Sequence, residues 1–80
     1  MPFLHIRTVN NELDARDEGL DYPNMESARK AGVHAGGRIA LSEINAGKPA
    51  AIIEVRLEQP DGELVDRFAI SSSVGDLKTV

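Results

Sequence analysis

The sequence contains no cysteine and no tryptophan, and only three of its 80 residues are aromatic. Without cysteine, the chain can form neither a disulfide framework nor a thiolate zinc site. Its length corresponds to one small domain, which must be stabilised by a single apolar core. The composition, with 41% hydrophobic and 28% charged residues, is that of a folded globular protein.

Long apolar runs and an excess of basic charge are also absent. The segment 1–8 is interrupted by His5 and Arg7, which is atypical of a signal peptide or a membrane span, so we expect a cytoplasmic protein without a membrane partner. The net charge is −4, and the acidic side chains concentrate in residues 12–26. The rest of the chain is near neutral and has no basic run, which disfavours nucleic acid as a partner.

Residues 3–8 alternate bulky apolar and polar side chains with a period of two, which predicts a first β-strand. Asn10 and Asn11 follow, and because asparagine tolerates left-handed backbone angles, they predict a tight reversal. Residues 12–16 then return as a short second strand. Residues 17–22 are predicted to form an acidic loop that leads into a helix.

The helix is predicted to begin at Asn24, whose side chain is a good N-cap, and to end near Ala46. Its buried stripe consists mostly of small residues, which allow a helix to approach a sheet closely. These residues are Ala28, Gly32, Ala35, Ile39 and Glu43, flanked by Ala31, Gly36, Ala40 and Ile44. Glycine costs on the order of 1 kcal/mol relative to alanine in a helix interior. We therefore expect the helix to be weakest near Gly36 and Gly37.

The C-terminal half of the chain predicts a β-hairpin. Residues 50–58 alternate with a period of two, residues 60–62 provide a turn with glycine at its end, and residues 64–70 return. The polar residues 71–80 show no periodic pattern, which predicts a loosely held tail. The predicted domain therefore covers residues 1–70.

These elements predict an α+β fold of order β-β-α-β-β, in which a small antiparallel sheet packs one face against a single helix. The predicted core unites side chains of the sheet and the helix. They are Leu4, Ile6, Ile53, Val55, Leu57, Phe68, Ile70, Ala28, Ala35 and Ile39. Asp66 would share the inner face with Phe68, unless a bulge near the hairpin turn shifts the alternation or Asp66 lies at the rim.

Four short motifs occur along most of the chain. They are Pro2–Arg7, the loop Asp17–Leu20, the helix entry Pro23–Asn24 with Ala28 on its first turn, and the hairpin from Glu54–Val55 to Asp61–Gly62. Together they resemble a family of small uncharacterised proteins, a domain of unknown function found chiefly in rhizobia and related alphaproteobacteria. Gly32 and Gly36 depart from that family, which has alanine at both positions. The resemblance implies the fold and no catalytic residues.

The acidic segment does not fit an EF-hand calcium loop, because Arg16 and Met25 occupy positions that require oxygen ligands. We interpret it as a solvated loop or, as the less favoured alternative, an acidic contact patch. His5 lies on a strand and His34 in mid-helix, without a zinc-binding spacing between them. We therefore expect neither a metal ion nor any other cofactor.

The Ser71–Ser73 run matches no nucleophile elbow, and Gly32, Gly36 and Gly37 match no phosphate-binding loop. We interpret the serines as part of the tail and the glycines as sites of close packing. Since no acid, base and nucleophile converge in the sequence, we expect that the protein is not an enzyme.

The sheet face that the helix leaves uncovered is the predicted interaction surface. It is expected to present Phe3, His5, Arg7, Glu54, Arg56, Glu58, Val65 and Arg67. Solvated cross-strand charge pairs are the simplest interpretation of this pattern. As a function we expect a non-enzymatic module that binds an unknown protein partner or a second copy, across this face or by pairing of edge strands.

Two other functions stay open. Arg7, Arg56 and Arg67 on one face would suit weak binding of nucleic acid, although Phe3 is the only aromatic residue there for base stacking. A small hydrolase or isomerase would use His5 with a carboxylate such as Glu54.

Overall fold

The computed structural model describes residues 2–77 and confirms the α+β fold. Its elements are β1 (Phe3–Val9), β2 (Asp14–Arg16), β3 (Leu20–Asp21), α1 (Met25–Asn45), β4 (Ala50–Glu58) and β5 (Leu64–Ser73). The sheet is antiparallel with the order β2-β1-β4-β5, and β3 also pairs with β1. The helix α1 covers one face of the sheet, chiefly over β4 and β5.

The reversal after β1 is confirmed, but the predicted mechanism is wrong. The Asn10 carboxamide oxygen accepts hydrogen bonds from the backbone N–H groups of Glu12, at 2.8 Å, and Leu13, at 2.6 Å. Within residues 2–77, positive φ angles occur only at glycines. A side-chain acceptor therefore closes this turn in place of a left-handed asparagine backbone.

The segment predicted as an acidic loop contains the strand β3, which pairs with the start of β1. Asp17 shapes the break between β2 and β3, because its carboxylate accepts hydrogen bonds from the N–H groups of Ile6, at 2.9 Å, and Gly19, at 3.0 Å. The prediction of a loop over residues 17–22 is wrong at Leu20–Asp21, since a strand of two residues is too short to show a periodic pattern.

The helix α1 begins and ends as the sequence predicts. The side chain of Asn24 accepts a hydrogen bond from the N–H of Ser27 at 2.8 Å, and Gly47 has a φ of +101° just after the C-cap Ala46. The helix continues through Gly36 and Gly37, so no interruption marks the predicted weak point.

The buried row of α1 differs from the predicted stripe. It runs at four-residue intervals through Ala28, Gly32, Gly36 and Ala40. Ala35 and Ile39, which the prediction placed in the core, lie half-buried beside this row. The row is made of the smallest side chains of the helix, because the helix backbone lies close to the sheet.

Two glycines of α1 have different surroundings. A Cβ atom at Gly36 would lie 2.7 Å from Val55 and 2.8 Å from Ile70, so only glycine permits this approach. A Cβ atom at Gly37 would meet nothing within 4 Å. The predicted packing role is therefore supported for Gly36 and wrong for Gly37.

The strand β5 is longer than predicted. Ser71–Ser73 belong to it and pair with Ala50–Ile52 of β4. The predicted boundary after Ile70 is therefore wrong, because small polar side chains on a strand give no hydrophobic alternation. Residues 78–80 of the predicted tail lie outside the described residues.

Asp66 lies at the rim of the helix-side face, which is one of the two predicted solutions to the register problem. A bulge does occur at Val65, which has no partner on β4, but it precedes Asp66 and leaves Asp66 on the same face as Phe68. Arg29 donates a hydrogen bond to Asp66 at 2.6 Å and lies 4.3 Å from the centre of the Phe68 ring. The negative charge of Asp66 is thus paired with Arg29 of α1.

The core confirms the predicted residues of β1 and β4. The side chains of Leu4, Ile6, Ile53, Val55 and Leu57 are buried, and each contributes about 1.5–3 kcal/mol to the free energy of folding. Phe68 and Ile70 are only half-buried, because β5 is an edge strand. Tyr22 is also buried, and this burial raises the pKa of its phenol.

Candidate functional site

The face of the sheet opposite α1 carries four arginines in one cross-strand row. Arg7 on β1 lies opposite Arg16 on β2 and opposite Arg56 on β4, and Arg56 lies opposite Arg67 on β5. Directly paired residues of antiparallel strands project from the same face, and opposed like charges repel each other. The row therefore depends on the carboxylates beside it.

Two of these carboxylates lie at the sides of the row. Asp14 accepts hydrogen bonds from Arg7 Nη2, at 2.6 Å, and Arg7 Nε, at 2.7 Å. Glu54 accepts a hydrogen bond from Arg67 Nε at 2.7 Å. The pair of bonds between Arg7 and Asp14 has the fork geometry that makes arginine–carboxylate pairs strong and directional.

A third carboxylate, Glu58, lies at the centre of the network. Its side chain is only 4% exposed. Glu58 Oε1 lies 3.3 Å from Arg16 Nε, and Oε2 lies 3.6 Å from both Arg7 Nη1 and Arg56 Nε. A buried carboxylate is costly unless cations compensate for its lost hydration. Here three guanidinium groups share this role.

The network is nearly balanced in charge, since four arginines face three carboxylates and one positive charge is left over. The hydrogen bond from Arg7 lowers the pKa of Asp14, and the hydrogen bond from Arg67 lowers the pKa of Glu54. Both carboxylates are therefore ionised at neutral pH, and the mixed charge persists under ordinary solution conditions.

An aromatic pair lies at one end of this face. The rings of Phe3 and His5 meet edge to face, with their centres 5.5 Å apart and their planes at 79°. Both rings lie over Gly19, which has a φ of +88°, and a Cβ atom at Gly19 would be 2.6 Å from the Phe3 ring. The two rings can pack over residue 19 because glycine has no side chain.

The structure does not bring His5 and Glu54 together. Glu54 pairs with Val9, four residues along β1 from His5. The nearest polar atom to His5 Nδ1 is instead the backbone oxygen of Asp17, at 3.0 Å. Glu54, the carboxylate that the prediction gave as an example, is therefore not the partner of His5, and the carboxylate that lies near it is Asp17, with Oδ1 3.9 Å from His5 Nδ1. His34 is exposed on α1, away from the sheet.

Five of the eight residues predicted for this surface belong to the ion network, namely Arg7, Glu54, Arg56, Glu58 and Arg67. Phe3 and His5 lie at its end, and Val65 lies in the bulge without a place in the network. The prediction missed Asp14 and Arg16. Their signal was the alternation of β2, in which both residues flank Ala15 and so project from the other face.

A groove of about 610 Å³ lies near the other end of the sheet and is lined in part by Asn10, Glu43 and Lys48. Lys48 Nζ lies 3.3 Å from carboxylate oxygens of both Glu12 and Glu43, and Asn10 donates a hydrogen bond to Glu43 at 2.8 Å. These polar groups pair with one another, so the groove offers weaker support for a ligand than the arginine row does.

Across residues 2–77, no group of three or more histidines and carboxylates is arranged to hold a metal ion. In the same part of the chain, no helix has the length and apolar character needed to cross a membrane. The sequence matches no protein-family model, no curated protein and no solved structure. The resemblance to the rhizobial family therefore stays a prediction.

Proposed function

We propose that the protein is a cytoplasmic, non-enzymatic interaction module that binds another protein through the face of the sheet opposite α1. The observation that carries this proposal is the row of four arginines, one from each of four strands, which carboxylates hold in place on this face.

The network prepares the arginines for binding. Each guanidinium group is positioned by a strand and by at least one carboxylate, so little side-chain entropy is lost when a partner binds. The side chains of Arg7, Arg16 and Arg56 are about one-third exposed, and that of Arg67 is 63% exposed. Arg16 Nη2 already donates to the backbone oxygen of Gln59 at 3.1 Å, so the N–H groups of the more exposed Arg67 are the best placed to donate hydrogen bonds to a partner.

The chemistry of the face favours a protein surface that combines carboxylates with apolar side chains. Arginine forks match carboxylates, and the exposed Phe3 and Ile52 add apolar area at opposite ends of the face. Binding of nucleic acid depends mainly on net positive charge. One excess charge in the network gives that alternative less support.

The test compares capture of partners from a nuclease-treated cytoplasmic extract of the source organism. The immobilised proteins are the wild type, Arg56→Ala, Arg67→Ala and the control Arg38→Ala, which changes an exposed arginine of α1. We expect a captured protein, identified by mass spectrometry and purified, to bind the two sheet variants at least tenfold more weakly than the wild type. The control should bind like the wild type.

Equal binding of all four proteins would contradict the proposal. A second assay measures retention of a labelled single-stranded oligonucleotide at low salt. Retention that Arg56→Ala reduces, together with capture that occurs only when the nuclease treatment is omitted, would support nucleic-acid binding instead.

A further inference from the structure

We infer that a second copy of the chain pairs with the free edge of β5, and that the two copies form one continuous antiparallel sheet about a two-fold axis at Ala69. β5 has ten residues and lies at the end of the sheet order. Edge strands usually carry lysine, proline or an inward charge that prevents such pairing. β5 has neither lysine nor proline, and its inward charge, Asp66, is neutralised by Arg29. Its bulge at Val65, a feature that also protects edge strands, lies before residues 67–71.

The hydrogen bonds of the ladder show which backbone groups are free. The N–H of Val74 donates to the backbone oxygen of Pro49 at 2.9 Å, so these two residues form a hydrogen-bonded pair. Hydrogen-bonded pairs alternate along an antiparallel ladder. The even-numbered residues of β5 therefore bond to β4. Arg67, Ala69 and Ser71 direct their N–H and C=O groups to the free edge, where the Arg67 N–H donates to Asp66 Oδ1 at 2.9 Å.

A two-fold axis at Ala69 aligns these free groups with their counterparts. Arg67 then lies opposite Ser71 of the second copy, and Ala69 lies opposite Ala69. This register gives about four hydrogen bonds between unused groups, and about six once each Arg67 N–H exchanges Asp66 Oδ1 for the Ser71 oxygen of the second copy. On the helix side, Phe68 lies opposite Ile70 of the second copy. Both side chains are half-buried in one chain, and pairing covers both.

Two other registers are less favourable. An axis at Arg67 would place two arginines directly opposite each other, which is destabilising. An axis at Phe68 would place the carboxylate of Asp66 opposite Ile70. The axis at Ala69 avoids both conflicts.

The helix supplies a second, independent observation. Arg29 contacts Asp66 and Phe68, which places its side of α1 above β5. Helix residues four apart lie on the same side, so Val33, Gly37 and Leu41 continue this row. Val33 is 44% and Leu41 is 58% exposed, and Gly37 has no neighbour within 4 Å of a Cβ position.

This apolar row lies where the helix of the second copy would pass. Gly32 lies over Phe68, and Gly36 lies over Ile70. The two-fold axis at Ala69, between these two strand residues, therefore passes beside the middle of α1. Val33 would meet its counterpart there, and Gly37, which has no packing role within one chain, would allow the helices to approach. A second copy thus covers the free edge of β5, the half-buried side chains of Phe68 and Ile70, and the helix row that contains Val33 and Leu41.

Cysteine substitutions test the register directly, because the chain has no cysteine of its own. Ala69→Cys places two sulfur atoms at a pair whose Cα atoms are about 5.5 Å apart, within disulfide range. Ser73→Cys, on the same strand, is separated from its counterpart by about 26 Å. We expect Ala69→Cys to form a covalent dimer at least tenfold faster under mild oxidation. Equal rates, or no crosslink at residue 69, would overturn the inference.

Light scattering after size-exclusion chromatography tests the assembly without crosslinks. The wild type should be a dimer. Ala69→Pro should be a folded monomer, since the lost N–H lies on the free edge and not in the ladder with β4. Val33→Glu should also be monomeric, and His34→Glu, on the outer side of α1, should stay dimeric. Circular dichroism checks that each variant is folded. A wild type that is monomeric at every concentration would overturn the inference.

The outcomes separate this inference from the proposed function, because the two surfaces differ. A monomeric wild type that loses its protein partner on Arg56→Ala would overturn only the dimer. A dimer whose partner binding is indifferent to Arg56→Ala would overturn only the proposed function.

Discussion

The two faces of the sheet are formed by alternate residues of the same strands, yet different interactions hold them. Toward α1, Val55 and Leu57 are fully buried, and Gly36 leaves no space for one added carbon atom. On the other face, ion pairs hold the neighbouring Arg56 and Glu58. Arg56 Nε lies 3.8 Å from Glu54 Oε2 and 3.6 Å from Glu58 Oε2, and Glu58 Oε1 lies 3.3 Å from Arg16 Nε.

This difference shows how one strand serves stability and recognition together. The helix-side face depends on volume and shape, because packing is dense and apolar. The arginine face depends on charge balance, because four arginines and three carboxylates hold one another there. Substitutions at adjacent residues of β4 should therefore have very different consequences.

The largest effect is expected from a truncation on the helix-side face. Leu57→Ala should lower the free energy of unfolding by about 3 kcal/mol, because it removes buried methyl groups and leaves a cavity. The adjacent Arg56→Ala should lower it by less, about 1 kcal/mol, because Arg7 and Arg16 still compensate the buried carboxylate of Glu58. Urea denaturation at one fixed protein concentration measures both. Similar losses would show that the two faces do not differ as described.

A smaller effect sharpens the comparison within the helix. Gly36→Ala should lower the free energy of unfolding by about 1 kcal/mol, because the clash with Val55 and Ile70 exceeds the gain in helix propensity. Gly37→Ala should raise it by up to about 1 kcal/mol, since only the propensity changes. Thermal unfolding followed by circular dichroism gives the sign for each variant, and a stabilising Gly36→Ala would contradict the close packing.

The smallest effect concerns the arginine face and acid. The folded-state pKa values of Asp14 and Glu54 lie below the ordinary values of 3.8 and 4.5. Their contribution to stability is therefore complete above the ordinary values and is lost as the pH falls through the lowered ones. The unfolding temperature should fall below about pH 4.5, and less so in the double variant Asp14→Asn, Glu54→Gln. An unchanged acid dependence in that variant would exclude this origin.

The sequence was sufficient for the elements that have a strong local signal. Alternation identified β1 and β4, and Asn24 with Gly47 identified the ends of α1, because capping chemistry is local. The same alternation indicated which residues of β4 face away from the helix. The sequence pattern therefore predicts five of the seven residues of the arginine network.

What the sequence could not reveal depends on pairing between distant segments. β3 has two residues, and Ser71–Ser73 have no hydrophobic side chain, so only their partners on β1 and β4 identify them as strands. The buried row of α1 passes through Gly36 and not through the predicted Ala35. This difference likewise depends on a distant contact, because Gly36 packs against Val55 of β4. The central position of Glu58 among three arginines follows from register, which hydrophobic periodicity does not specify.

The strand order has a consequence for how the chain folds. β4 and β5 form a local hairpin, whereas β1 joins β4 through pairs such as residue 5 with residue 58. Closing so long a loop is entropically slow compared with forming a hairpin or a helix. β1 is synthesised before its central partner β4, which begins only at Ala50. We expect insertion of β1 to be the late, rate-limiting event of folding.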